Sequence, residues 1–157
     1  MDLDFKLNDF KFNARVSAII YNFDKSKVLL FKVEDGRDYF LLPGGRIGLN
    51  EDSKTAIKRE IKEELEFDLD FELCSIQENF VKKDNNNIMQ YCFCYKAIYN
   101  QNIDKEIFKC LDNDGQTFHW INIDEINNIK LYPQSCKNLI KNTNLLIEHI
   151  IEKDIKI

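Results

Sequence analysis

Proline occurs only twice and glycine five times, too sparsely for a flexible linker, and no Ser-rich tract or block of like charge marks a domain boundary or a disordered tail. Long apolar runs are missing as well. No segment approaches the roughly 20 residues that a membrane-spanning helix needs. The stretch "MDLDFKLNDFKFNARV" has neither a basic start nor an unbroken apolar run, so no membrane association and a cytoplasmic location are expected. The five cysteines are odd in number and contain no C-x-x-C pair, which argues against a disulfide framework and a structural zinc site. The formal net charge of -5 leaves no basic footprint for duplex nucleic acid. If the substrate is an anion, something other than the bulk composition must supply positive charge.

What the chain does have is apolar material for one core. With 157 residues, 44% of them hydrophobic and 12% aromatic, a single domain over residues 1–157 is expected. Runs at 15–23, 27–33, 39–42, 71–81, 88–99 and 117–122 are rich in β-branched and aromatic residues and are separated by turn signals such as "DKS", Asp35-Gly36 and "KKDNNN". They predict a large sheet. Helical periodicity appears over 53–65 and again from Gln134 to about Lys153, where Leu139, Ile140, Leu146, Ile147, Ile150 and Ile151 recur at threes and fours. A third, short helix is expected in "IDEINNI". Interleaved strands and helices predict an α/β sandwich, a mixed sheet between helices.

The first helix has an unusual distribution of charge. "GGRIGLNEDSKTAIKREIKEEL" (44–65) places Glu60, Glu63 and Glu64 in its last turns, where the helix dipole disfavours acids. At about 100° per residue with Ala56 at zero, Ile57, Ile61 and Leu65 fall between roughly 100° and 180°, and Glu60 and Glu64 fall near 40° and 80°. Glu63, at roughly 340°, borders this arc, whereas Lys58, Lys62 and Glu66 occupy about 200° to 280°, the place for a solvated face. Like-charge pairs and the dipole together cost on the order of 1–3 kcal/mol. A divalent cation reverses that sign. Mg²⁺ prefers carboxylate oxygens and bridges protein acids to substrate phosphates, so the acids are read as a metal cage. The preceding Gly44-Gly45 pair lets the backbone approach a ligand closely, and Asp52 or Ser53 is suited to cap the helix.

These residues spell a known pattern: Gly45, five residues, Glu51, seven residues, Arg59-Glu60-Ile61, one residue, Glu63-Glu64, one residue, Phe67. It resembles the Nudix box, here about 45–67, with one departure, Glu66 where the family has a glycine that ends the helix in a left-handed conformation. The resemblance implies a Nudix-type α/β/α sandwich. It also implies hydrolysis of the pyrophosphate bond of a nucleoside diphosphate linked to another moiety, with Mg²⁺ or Mn²⁺, and a small-molecule nucleotide derivative as partner. Nudix enzymes are often dimers, so a homodimer is compatible with it.

Carried over residue by residue, the resemblance puts metal on Glu60, Glu63 and Glu64, helped by the main-chain carbonyl of Gly44. Glu51 and Arg59 brace loop against helix beside Gly45, and Arg46 faces the phosphates. The catalytic base is either a helix glutamate, Glu60 or Glu63, or a loop acid, for which Asp114 in "LDNDGQTFHW" is the candidate. Glu78 in "QENF" reads as a cross-strand pairing residue with a metal-facing role as its alternative, and His119 and His149 read as structural. The rival to hydrolysis is a catalytically silent Nudix-like module that senses a nucleotide or binds a protein. RNA 5′-end pyrophosphohydrolysis is the weaker third reading. Markers for ADP-ribose, dinucleoside polyphosphates or coenzyme A are missing, which leaves the substrate open.

Overall fold

The computed structural model describes residues 1–144 and 146–157. Two long strands form its spine: β2 (Phe10–Asn22) and β7 (Asn86–Tyr99) run parallel in unbroken register from Phe10 opposite Asn87 to Asn22 opposite Tyr99. The other strands are β1 (Asp4–Leu7), β3 (Lys27–Val33), β4 (Phe40–Leu41), β5 (Gly44–Arg46), β6 (Glu72–Lys83), β8 (Ile107–Lys109), β9 (Gln116–Asn122), β10 (Leu131–Tyr132) and β11 (Glu148–Lys156). The path through the sheet is β10-β4-β3-β2-β7-β6-β11, with β1 and β5 paired to β2, and β9 paired to β3 and β8. Parallel pairs (β2 with β7, β4 with β10, β6 with β11) mix with antiparallel ones, which is the expected mixed sheet.

Strand alternation explains why both faces are covered. From β2, Ala14, Val16, Ala18 and Ile20 join Leu29 and Phe31 of β3 against Ala56, Ile57, Ile61 and Leu65 of helix α1 (Ser53–Leu65). The intervening Ile19 and Tyr21, with Val28 and Leu30, pack instead on Ile126 of a 3₁₀ turn (Ile123–Asn128) and on Leu139 and Ile140 of α2 (Cys136–Lys141). Two apolar layers on opposite faces of one sheet make the α/β/α sandwich. Full burial of Ile57 and Ile61 contributes roughly 1.5–3 kcal/mol each and clamps α1 against the sheet. Of the five cysteines, Cys74, Cys94 and Cys136 lie in the α2-side core, and all five are free and buried.

The tail departs from expectation. Helix α2 ends at Lys141, with Asn142 already extended, and residues 148–156 form strand β11, parallel to β6. Asn142-Thr143-Asn144 are poor helix formers that bond their own backbone: Asn142 Oδ1 accepts from the Asn144 amide at 2.9 Å. Beyond them the β-branched Ile150, Ile151 and Ile155 favour a strand. Their spacing of three and four was coincidental. Among the described residues no helix is long and apolar enough to cross a membrane.

Candidate active site

Helix α1 is placed by its ends. Asp52 caps it by accepting from the Thr55 amide at 2.9 Å and the Thr55 hydroxyl at 2.7 Å, and Ser53 is tied to Tyr95 of β7 by a 2.6 Å hydroxyl contact. At the other end Glu66 sits at φ 57°, ψ 17°, and its amide closes on the Lys62 carbonyl at 3.0 Å. That is the left-handed terminator geometry, taken here by a residue with a Cβ.

Arg59 locks the glycine loop to the helix. Its Nε and Nη2 donate to the two carboxylate oxygens of Glu51 at 2.8 and 2.9 Å, and Nη2 also donates to the Arg46 carbonyl at 3.0 Å. Glu51 in turn accepts from the Gly48 amide at 2.7 Å. The Arg59 bond holds the Glu51 carboxyl below its ordinary pKa despite partial burial. Arg59 Nη1 reaches Glu60 at 2.9 Å and Glu63 at 3.4 Å.

The carboxylates are graded in exposure. Glu63 is 50% exposed at the rim, Glu60 15%, and Glu64 7%. The two glycines of the loop have different neighbours. A Cβ on Gly45 would stand 2.2 Å from the Glu60 carboxyl carbon, so Glu60 occupies the space that a side chain would fill. Gly44, at φ +142°, passes so close to β2 that a Cβ would meet the Val16 carbonyl oxygen at 2.2 Å, which only glycine permits. Burial pushes the Glu64 carboxyl up to about 8, and the charges of Glu60 and Asp112 add to it, while Arg15 and the Gly44 amide oppose it. Burial also raises Glu60, against the pull of Arg59. Oε2 of Glu64 is buried with no hydrogen-bond partner. A buried, unpartnered carboxylate oxygen beside a second acid fits a hard divalent cation, so Glu60, Glu64 and the Gly44 main chain can hold one, with Glu63 at its open side.

Three contributors were not legible in the sequence. Arg15 lies directly across from Arg46 on β5 and from Cys92 on β7, so two guanidinium groups leave neighbouring strands on one face, and the Arg15 charge lowers the pKa of both Glu60 and Glu64. Its signal was a single cation inside the apolar run "NARVSAII". Cys110 and Asp112 stand beside Glu64, with ligand atoms mutually within 4.8 Å. The Leu111 amide donates to the Glu64 carbonyl at 3.0 Å, which fastens this loop to the helix end. Asp114 sits two residues further on, in an exposed turn. Arg46 is engaged by Asp4 at 2.9 Å and Asp2 at 3.6 Å. Glu78 pairs across strands with His149 at 2.8 Å.

A comparison with family models matches the NUDIX domain over residues 11–142. The chain belongs to the Nudix family. It is thus a pyrophosphohydrolase by class. Solved structures of similar fold include the MutT protein of Bacillus halodurans (TM-score 0.65, 19% identity, 90% of each chain covered). A MutT NUDIX hydrolase of Burkholderia pseudomallei gives 0.64 at 17% identity, over 85% of this chain and 98% of that one. The E. coli dihydroneopterin triphosphate pyrophosphohydrolase gives 0.62 at 17%, over 82% and 92%. At these identities the likeness is one of fold. No curated protein sequence matches.

Proposed function

We propose that this Nudix chain hydrolyses a phosphoanhydride of a nucleoside diphosphate linked to another moiety, such as a nucleoside triphosphate, ADP-ribose or a nucleotide sugar, with Mg²⁺ or Mn²⁺ held by Glu60, Glu64, the Gly44 carbonyl and Glu63. The observation that carries the reading is the buried Glu64 carboxylate, whose Oε2 has no partner, one turn from Glu60, which fills the space that Gly45 leaves open. When bound, the cation neutralises phosphate charge and lowers the pKa of a coordinated water.

The chain's own groups do the rest. Arg59 fixes the loop and holds Glu60 and Glu63 in place. Arg15 and Arg46 supply the positive charge that the composition as a whole withholds. A polyphosphate displaces Asp2 and Asp4 from Arg46, a partly exposed ion pair worth at most about 1 kcal/mol. The proton of the attacking water goes to a carboxylate. Glu60 and Glu63 are the helix candidates and Asp114 the loop candidate, with Asp112 the loop acid nearer to Glu64.

Beyond the arginines the same sheet face continues as a polar floor. Asn13, Gln90 and Asn79 align across β2, β7 and β6, and Arg15, Cys92 and Gln77 form the next row. Asn13, Gln77 and Asn79 are buried, and the Asn13 and Asn79 side-chain oxygens have no partner. Such amides reject a purely apolar group and favour a moiety with a hydrogen-bonding edge, as a base has.

The test is a panel of nucleoside triphosphates, oxidised triphosphates, ADP-ribose, nucleotide sugars and dinucleoside polyphosphates, assayed with Mg²⁺, Mn²⁺ or EDTA. Turnover that needs metal and falls about 10²–10⁴-fold in Glu63→Gln or Glu60→Gln, the scale of a lost general base, supports the proposal. Nucleotide binding without turnover across the panel would instead make the chain a sensing module.

A further inference from the structure

One corner of the carboxylate cage holds a thiol that hydrolysis does not use. Cys110, just past β8, is 3% exposed, and its Sγ, a Glu64 carboxylate oxygen and an Asp112 carboxylate oxygen lie mutually within 4.8 Å. The loop that carries it is tied at both sides. The Cys110 amide donates to the Gln116 carbonyl at 3.0 Å and the Leu111 amide to the Glu64 carbonyl at 3.0 Å. The thiol donates to Asp112 Oδ1 at 2.9 Å. Glu64 is more than nine-tenths buried and its Oε2 is unpartnered, so the carboxylate that joins this triangle has an oxygen that no protein donor satisfies. Among the described residues the triangle is the one group of three His, Cys, Asp or Glu side chains whose ligand atoms all lie within 4.8 Å of one another; Glu60, Glu63 and Glu64 are spread more widely.

Ligand softness then decides which ion. Mg²⁺ selects oxygen, whereas a thiolate with two carboxylates selects Zn²⁺ or Cd²⁺. Three protein ligands with one exposed member leave a fourth position for water, the open arrangement found in catalytic zinc sites. We propose that Glu64, Cys110 and Asp112 form a site for a thiophilic divalent cation, which shares Glu64 with the hydrolytic cage and so withdraws that carboxylate from Mg²⁺. The withdrawal rests on the function proposed above; the binding does not. Binding converts the thiol and the free cation into a metal–sulfur bond and releases the thiol proton, with any proton held on the Glu64 carboxyl, to solvent through the exposed Asp112, with no change of oxidation state.

The experiment titrates the reduced, metal-free 157-residue chain with Cd²⁺ and follows thiolate-to-metal charge-transfer absorbance in the ultraviolet, with released protons counted in weak buffer. The expected result is a band that saturates at one Cd²⁺ per chain, disappears in Cys110→Ser, weakens at least about tenfold in affinity in Asp112→Asn, and persists in Cys74→Ser. Asp112 is exposed, so its variant reports even if Cys110→Ser folds poorly. Added Mg²⁺ should raise the Cd²⁺ midpoint, as the shared Glu64 requires. Absence of the band in the folded wild-type chain, a band that survives Cys110→Ser, or indifference to Asp112→Asn overturns the site. None of these outcomes bears on whether the chain hydrolyses nucleotides with Mg²⁺, which the substrate panel reads separately.

Discussion

Gly44 and Gly45 are neighbours with opposite reasons for lacking a side chain, and substitution should separate them. In Gly45→Ala the three atoms nearest the new Cβ all belong to the carboxylate at the far end of the Glu60 side chain, which can swing away. The fold should hold, with a melting temperature within a few degrees of wild type, while metal-dependent turnover falls at least about tenfold, as expected when a ligand is displaced by an ångström or so. Gly44→Ala places its Cβ against β2 backbone at a positive φ, so strain and overpacking should together cost about 3 kcal/mol or more. Thermal denaturation beside an activity assay distinguishes them, and equal stability loss in both would refute the assignment. Glu66 is the reverse case. A side chain at φ 57° carries a penalty of about 1–2 kcal/mol, so Glu66→Gly should raise the melting temperature by about 2–8 °C. A lower value would mean that the Glu66 side chain contributes more than its backbone strain costs.

At the scale of elements, the reading of α1 and the reading of the tail show what periodicity carries. Burial on α1 follows the angular order expected from the helical repeat, with Glu64 and Glu60 on the sheltered side and Glu63 at the rim, because a capped helix has one period and one packed face. The tail mixed two elements. Nothing in a spacing of three and four shows that the Asn-Thr-Asn segment interrupts it, and β11 owes its place to pairing with β6, a long-range partner that no local pattern names. The same holds for Cys110 and Asp112, which reach Glu64 only through the β8–β9 connection. Strand β9 offers a pH test. His119 accepts or donates a 2.9 Å hydrogen bond with Thr117 and packs on Phe40. Burial lowers its pKa, Lys32 adds to this and Glu34 opposes it. Below its ordinary value of about 6.5 the unfolded chain binds the proton more readily than the folded one, so stability is lost as pH falls from there. His119→Gln should remove that component, giving a smaller drop in melting temperature between about pH 7.5 and about pH 5.5. Parallel curves would show that His119 does not report the loss.

For the molecule as a whole, the sandwich concentrates an electrostatic conflict that its sequence already poses. A chain of net charge -5 concentrates three acids at one helix end, and folding buries two of them beside each other, with Arg15 of β2 opposing their charge. Without a cation the arrangement remains frustrated, as the raised Glu64 carboxyl and its unpartnered oxygen show. Only the folded state assembles Glu60, Glu64 and the Gly44 backbone, so a cation that binds there must stabilise the whole fold by mass action. At a free concentration one hundred times its dissociation constant the gain is about 2.7 kcal/mol, which for a domain of this size corresponds to a rise of roughly 5–10 °C. The rise should appear with Mg²⁺ and Mn²⁺, track the logarithm of metal concentration, and shrink to below about 1 °C in a Glu60→Gln/Glu64→Gln double variant. Removing the buried acids also removes the conflict, so the metal-free double variant should melt no lower than the metal-free wild type. Scanning calorimetry of both proteins with and without metal reads all of these at once. An equal metal-induced rise in the double variant would place the stabilising ion elsewhere on the surface and deny the cage its role.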